Sequence, residues 1–260
     1  MNVEIKTNGN VICDLDGVVY RGNEPVPGSG FALAALEAGG WKIIFSTNNS
    51  SRTPEGVAMR IGSITGYGAA AEQIVTSADA AADLLSDSKP RTFVLGGAGV
   101  TFALEKAGIP VTIHGSEAEA VVVGLAIGLT YDWLREAATA VIRGARLVAS
   151  NDDPTYPAED GLWPGAGAIL AAVERASGVK AEVAGKPYPP MRRLLRKSLG
   201  PGPVWIVGDR PDTDLAMASA EPDWKAALVL TGVARGDENL EPTPDLVASD
   251  LAEVARILLG

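Results

Sequence analysis

Short, unbroken apolar runs alternate along the chain with alanine-rich stretches whose apolar residues recur at helical spacing. The runs at 11–14, 41–46, 92–95, 120–124, 146–149, 204–207 and 226–230 are too short for helices and rich in Val, Ile and Leu. They predict strands buried on both faces. Helices are predicted over 29–38, 54–61, 78–85, 132–143, 166–177, 190–199, 212–218 and 250–259. Strand–helix alternation of this kind predicts an α/β protein with a mostly parallel, doubly wound, Rossmann-like sheet.

Polar or glycine-rich patches follow several of the strands: "DLDG" from Asp14, "STNNSS" from Ser46, "GDRPDTD" from Gly208 and "TGVARG" from Thr231. In an open α/β sheet the binding crevice lies at the carboxyl ends of the strands, so these loops are expected to share one site. Roughly 76 to 183 reads differently: it has its own strands and helices, but its loops lack paired carboxylates. This predicts a second α/β unit inserted into the first, with a core of 1–75 plus 184–260 and an insert over 76–183.

The pair Asp14 and Asp16 raises the chemical question. In extended backbone, side chains two residues apart point the same way, so two carboxylates there repel unless a cation or a proton lies between them. The pair is either an acidic turn or a site for a metal and for proton transfer. In "FSTNNSSRTP", Thr47, Asn48 and Asn49 follow a strand, and Thr53-Pro54 has the form of a helix cap followed by a first-turn proline. Such a loop suits a phosphate, and it also suits an ordinary polar connection. Lys186, in "AGKPYPP", is either a point charge for a phosphoryl oxygen or a solvated surface lysine. In "VGDRPDTDLAMA", Gly208 turns the chain, Asp209 is placed as a hard-cation ligand, and Asp212 reads as helix capping.

Net charge of −10 with no Lys/Arg cluster argues against a nucleic-acid partner. The lone Cys13, inside an apolar run, reads as a small buried hydrophobe and fits a reducing compartment. "MNVEIKTNGN" lacks the apolar segment of a signal peptide, and the longest apolar candidate, 120–129, is too short to cross a membrane. A cytoplasmic location without a membrane partner is expected. The lone His114 has no partner ligands and is not read as metal-binding, and "VLGGAGV" lacks the third glycine of a dinucleotide loop, so it reads as a tight strand-to-helix turn.

Taken in order, DxD, a Thr loop, a distant Lys and GDxxxxD resemble the signature of the haloacid dehalogenase-like hydrolase superfamily. "CDLDGVVYRG", "FSTNNSSRTP", "SADAAADLL", "TYDWL", "DPTYPAEDGLWPGAGAI", "AGKPYPPM", "GDRPDTDLAMA" and "LVLTGV" resemble its subclass IIA. That group holds NagD-like sugar phosphatases and the 4-nitrophenylphosphatases. It also holds the phosphoglycolate, glycerol-phosphate and pyridoxal-phosphate phosphatases. The resemblance implies a C2-type cap between Thr47 and Lys186, where the different texture lies.

It further implies a Mg²⁺-dependent phosphatase of small phosphorylated metabolites. Asp14 is then the nucleophile that becomes aspartyl-phosphate, and Asp16 the general acid and base. Thr47, the backbone of Asn48 and Asn49, and Lys186 hold the phosphoryl oxygens. Mg²⁺ is held by Asp14, the Asp16 backbone carbonyl and Asp209, with Gly208 and Asp214 in support. Asp214 orients the metal shell or Lys186, or else caps the helix.

Related enzymes use a cap residue just before the proline of "DPTYP" on the substrate. Here it is Tyr156, where pyridoxal-phosphate phosphatases have a histidine, and a tyrosine carries no positive charge near neutral pH. The expected substrates are therefore sugar, glycerol or glycolate phosphates. The alternatives are a pyridoxal-phosphate or nucleotide phosphatase, phosphoryl transfer to an acceptor other than water, or an inactive metabolite-binding homologue. Asn151 and Asp153 are either neighbours of the substrate or turn residues, and Tyr131 and Asp132 are expected to start a helix. Ala126 stands where relatives often carry an acid, which removes a cap contact or surface polarity. Cap-bearing relatives often dimerise, so a homodimer fits the resemblance.

Overall fold

The apolar run after Gly9 forms the strand Gly9–Cys13, every residue of it buried, at the centre of a six-stranded sheet. The computed structural model describes residues 8–158, 161–236 and 240–260. The first seven residues of the N-terminal reading and residues 159–160 of the "DPTYPAEDGLWPGAGAI" segment lie outside the described residues. The described chain forms two units: residues up to Ser46 with Val57–Ile74 and Leu195–Gly260, and Thr47–Gly56 with Val75–Leu194.

The six-stranded sheet runs Leu246–Ala248, Trp224–Val229, Val204–Gly208, Gly9–Cys13, Trp41–Thr47, Ile74–Thr76. The chain leaves its central strand first to one side and then returns to build the other. That places a topological switch point between Gly9–Cys13 and Val204–Gly208, which pair in parallel with Cys13 opposite Val207. Val11, Cys13, Leu15, Phe45 and Val207 pack into one apolar cluster with Leu33, Leu36, Leu251 and Val254. The last four come from the helices Ser29–Ala38 and Leu251–Leu259, which lie against each other. Cys13 belongs to this core, as its apolar neighbours lead one to expect.

The second unit carries its own parallel sheet, in the order Glu182–Val183, Arg146–Ala149, Ala120–Val123, Thr92–Leu95, Val111–Thr112. The central strand Ala120–Val123 is wholly buried, and Leu95, Val121, Val123, Leu147 and Val173 form the apolar cluster. Ala126 joins that cluster, so the position where relatives often carry an acid faces the apolar interior here. An antiparallel hairpin pairs Thr155–Ala158 with Gly161–Pro164.

Local chemistry explains the element ends. Thr76 and Asp79 form a reciprocal capping box at the helix Ser77–Leu85 (Asp79 N–H to Thr76 Oγ1 3.1 Å, Thr76 N–H to Asp79 Oδ2 2.9 Å). Thr130 accepts from the Trp133 N–H at 3.2 Å, so Tyr131 and Asp132 do open the helix Tyr131–Ile142. Asp250 does the same for Leu251–Leu259.

The helix expected over 212–218 is divided. The Arg210 carbonyl accepts from both the Asp214 and Leu215 N–H groups (3.0 and 3.3 Å). Pro211–Leu215 therefore winds as a wide π-turn before the short helix Ala216–Ser219. The strand-to-helix turn read in "VLGGAGV" leads into the helix Ala98–Lys106. Among the described residues, no helix is long and apolar enough to cross a membrane.

Candidate active site

Three carboxylates meet in the first unit. Asp14 follows the central strand, Asp209 follows Val204–Gly208, and Asp214 lies in the π-turn beyond. Their oxygens lie within 4.8 Å of one another, and all three residues are buried. Three like charges in a low-dielectric setting repel strongly, so the group demands a cation or bound protons. An all-oxygen carboxylate set suits a hard divalent cation such as Mg²⁺ and offers nothing to a soft one.

The surrounding backbone makes room for this crowding. A β-carbon at Gly208 would overlap the Asp214 side chain, and one at Gly232 would overlap the Asp209 carboxylate. The Asp209 carboxylate accepts from the Val233 N–H at 2.7 Å, and its carbonyl accepts from the Ala234 N–H at 3.1 Å. Thr231 Oγ1 donates to the Gly17 carbonyl at 2.5 Å, so the "TGVARG" loop is tied to the "DLDG" loop. Both loops belong at the strand carboxyl ends, as expected from the sequence.

Asp16 is placed differently from the extended-backbone reading. The strand ends at Cys13, and the Leu15 carbonyl accepts from the N–H groups of Val18, Val19 and Tyr20 (3.2, 2.9 and 3.2 Å). The chain therefore turns between the two aspartates, and strand alternation does not govern Asp16. Asp16 stands outside the three-carboxylate group, half-buried, bridged to Tyr20. Burial first, and the Asp16 charge second, push the Tyr20 phenol far up, while Arg60 lies 5.2 Å over its ring. Asp212 is exposed and pairs two-pronged with Arg210 (3.1 and 2.7 Å). Its side chain thus serves an ion pair where capping was expected, although its place in the first turn still suits the helix dipole.

The second unit gathers Thr47, Asn48, Asn49 and Lys186. Thr47 Oγ1 accepts from the Asn49 N–H at 3.1 Å, which leaves its hydroxyl proton to donate. The Asn49 carboxamide accepts from the Ser51 N–H and Oγ (3.0 and 2.6 Å), an Asx turn that holds the loop's shape. Thr53 Oγ1 accepts from the Gly56 N–H at 3.2 Å and caps the helix Pro54–Thr65. Asn48 is tied to the Lys186 backbone through its side chain, with Asn48 Oδ1 accepting from the Lys186 N–H at 2.8 Å. Lys186 is only 3% exposed, far from the solvated surface lysine of the alternative reading. A buried ammonium calls for an anion beside it.

Loop 48–52 rests on the strand carboxyl ends of the second unit's sheet. Ser150 Oγ donates to Ser50 Oγ at 3.0 Å, and a β-carbon at Gly99 would overlap the carbonyls of Ser50 and Arg52. The "VLGGAGV" glycines serve this close approach of backbone to backbone. Ser77, Asn151 and Asp153 were not singled out as partners of Asn48 in the sequence. All three bond to it, and Asn151 Oδ1 also accepts from the Asp153 N–H at 3.1 Å, so these two are turn residues and loop anchors together. No local sequence signal marks the bonds to Asn48, which join residues far apart in the chain.

Tyr156 sits on the hairpin opposite Trp163, the ring centroids 6.3 Å apart in an edge-to-face pair. Tyr188, two residues past Lys186, donates to the Asp152 carboxylate. That bond, helped by burial, pushes the phenol up to about 12.

A family model for haloacid dehalogenase-like hydrolases matches residues 11–110, and a second, HAD-hydrolase-like, matches 183–254. An acid sugar phosphatase of Staphylococcus saprophyticus is 34% identical over 253 residues, covering 95% of this chain and 96% of its own. Among solved structures, a hypothetical protein of Pyrococcus horikoshii OT3 matches with a TM-score of 0.90 and 35% identity, over 96% of this chain and 99% of that one. A glycerol phosphate phosphatase of Mycobacterium tuberculosis, in complex with magnesium, matches with a TM-score of 0.87 and 32% identity, over 99% and 80%.

Proposed function

The chain belongs to the haloacid dehalogenase-like hydrolases, and from that premise we propose that it is a Mg²⁺-dependent phosphatase of small sugar- and glycerol-phosphate-type monoesters. The observation that carries this reading is the buried group of Asp14, Asp209 and Asp214 at the switch point of the sheet. The sugar and glycerol phosphate phosphatases among its relatives support the substrate class. We place the core at 1–75 plus 184–260 and the specificity-bearing insert at 76–183.

The donor set fits the metal: Asp14 and Asp209, with the Asp16 carbonyl, would hold it, and Asp214 would complete the acidic surround. Bound Mg²⁺ supplies positive charge against the phosphoryl oxygens. The chemistry then falls to the chain's own residues. An Asp14 carboxylate oxygen attacks phosphorus, and the bond to the leaving alcohol oxygen breaks as that oxygen takes a proton from Asp16. A water then attacks the aspartyl-phosphate, giving its proton to Asp16 and returning Asp14 as a carboxylate with inorganic phosphate released. The Thr47 hydroxyl, the Asn48 N–H and the Lys186 ammonium hold the phosphoryl oxygens throughout, while the Asn49 N–H, bonded to Thr47 Oγ1, keeps that hydroxyl in place. Tyr156, backed by Trp163, meets the non-phosphate end of the substrate. The lone buried Cys13 suits a reducing cytoplasm, where we place the enzyme, and a homodimer is its proposed assembly.

The test is phosphate release with Mg²⁺ across glycolate, glycerol, sugar, nucleoside and pyridoxal phosphates. The highest kcat/KM is expected for a sugar or glycerol phosphate. A winning pyridoxal or nucleoside phosphate would overturn the substrate class. Transfer to an added alcohol in place of water would mark a phosphotransferase. No release from any ester, 4-nitrophenyl phosphate included, would overturn the activity.

A further inference from the structure

Asn48 has both ends of its carboxamide committed to one residue. Its Oδ1 accepts from the Lys186 N–H at 2.8 Å, and its Nδ2 donates to the Lys186 carbonyl at 3.2 Å. The second Nδ2 hydrogen goes to the Asp153 carboxylate at 3.1 Å. The backbone of Asn48 is itself pinned, because its carbonyl accepts from Ser77 Oγ at 2.6 Å and from Asn151 Nδ2 at 2.7 Å. A carboxamide alone among short side chains carries two donors and an acceptor in one plane, so it can pair with the two polar groups of one residue as a neighbouring strand would. The chain also makes room for it: a β-carbon at Gly185 would come within 2.5 Å of Asn48 Oδ1.

We propose that Asn48 is a positioning residue, whose side chain fixes the Lys186 backbone so that the lysine ammonium is held ready for the phosphoryl group. The proposal rests on the reading of Lys186 as a phosphoryl-binding residue. It gives the Asn48 side chain a task separate from that of its backbone N–H. Aiming a long, flexible lysine from a fixed backbone removes part of the entropy that it would lose on meeting the phosphate.

Two measurements test it. The first is hydrogen exchange over residues 184–188, compared between the natural protein and Asn48→Ala, which needs no catalysis. Loss of the bond to the Lys186 N–H is expected to speed exchange there by about tenfold or more. The second is kcat/KM for 4-nitrophenyl phosphate with Mg²⁺ in Asn48→Ala, Lys186→Ala and the double variant.

Asn48→Ala is expected to cost on the order of 10- to 100-fold with Lys186 present and less than about threefold without it. A merely structural role would produce additive losses. Unchanged exchange, or additive losses in the cycle, would overturn the proposal. An inactive natural protein would overturn the phosphatase reading, while the exchange measurement still decides whether Asn48 fixes the lysine. If Asn48→Ala does not fold, Asn48→Leu keeps the approximate shape but can neither accept from the Lys186 N–H nor donate to its carbonyl, and is read the same way.

Discussion

Asp14 and Asp209 extend two neighbouring parallel strands that are locked in register, with Cys13 opposite Val207 and the Asp14 N–H bonded to the Val207 carbonyl at 2.9 Å. These strands flank the point where the sheet's winding reverses, so their carboxyl ends diverge into a crevice with no crossing connection to fill it. Two residues 195 positions apart are thereby set side by side by backbone hydrogen bonds alone.

Exchange of the attacking oxygen follows first from this arrangement. Asp14→Asn removes the proposed nucleophile and is expected to lower kcat by about a thousandfold or more, read as phosphate release. Asp16→Asn keeps the proposed nucleophile but can neither protonate a leaving alcohol nor take the proton from water, so it is tested with 4-nitrophenyl phosphate, whose leaving phenolate needs no proton. Phosphoprotein should then build up after mixing with substrate, detectable as a mass increase of one phosphoryl group. Normal turnover by Asp14→Asn would sink the mechanism.

The crowded carboxylates make stability depend on the cation. Mg²⁺ at about a hundred times its dissociation constant should stabilise the fold by about 2.7 kcal/mol, seen as a rise in Tm. Asp209→Asn removes a charged ligand and relieves repulsion while keeping an acceptor for the Val233 N–H. Its Tm without metal is expected to be no lower than that of the natural protein, and its rise with Mg²⁺ should largely vanish. An equal rise in both proteins would place the cation elsewhere.

Gly208→Ala tests the close approach of backbone and carboxylate. The added methyl overlaps the Asp214 side chain, so a loss of about 1–3 kcal/mol in unfolding free energy is expected. Activity should fall further than stability explains, because Asp214 must move away from Asp14 and Asp209. Denaturant melts and kcat together check this, and an unaltered kcat would detach Asp214 from the site.

Alkaline pH should expose the bond from Tyr188 to Asp152. The Tyr188 phenol titrates near its ordinary value of 10.0 in the unfolded chain and at about 12 in the folded one. Its contribution is fully present below pH 10 and is lost as pH rises towards 12. Between these limits the natural protein should lose stability more steeply than Tyr188→Phe, measured as urea midpoints. Tyr20, also raised, titrates in both proteins and cancels in the comparison.

The parallel sheets were legible because their strands are buried on both faces, which writes Val11–Cys13 and Ala120–Val123 as unbroken apolar runs. Strands of two or three residues at the sheet edges, such as Val111–Thr112 and Leu246–Ala248, are too short to leave a pattern. Asp14, Asp209, Thr47 and Lys186 were legible as polar residues following strands. The gathering of Asp214 with Asp14 and Asp209 was only half visible, since it depends on a π-turn created by competition for the Arg210 carbonyl. Asn48 was read for its backbone alone, because the partner of its side chain lies 138 residues away. Asp16 misled the strand argument because alternation holds only while the backbone stays extended, and the chain turns at Leu15.

The resting place of loop 48–52 bears on how such enzymes can be recombined. Its serines and backbone carbonyls fit against Gly99 and Ser150 of the inserted unit, and Asn48 fits against Gly185. A chimera that exchanged only 76–183 for a relative's insert would set a foreign surface under a native loop, and would unsettle the residues proposed to grip phosphate. Exchanging 47–56 together with 75–194 would carry the loop and its seat as one heritable module.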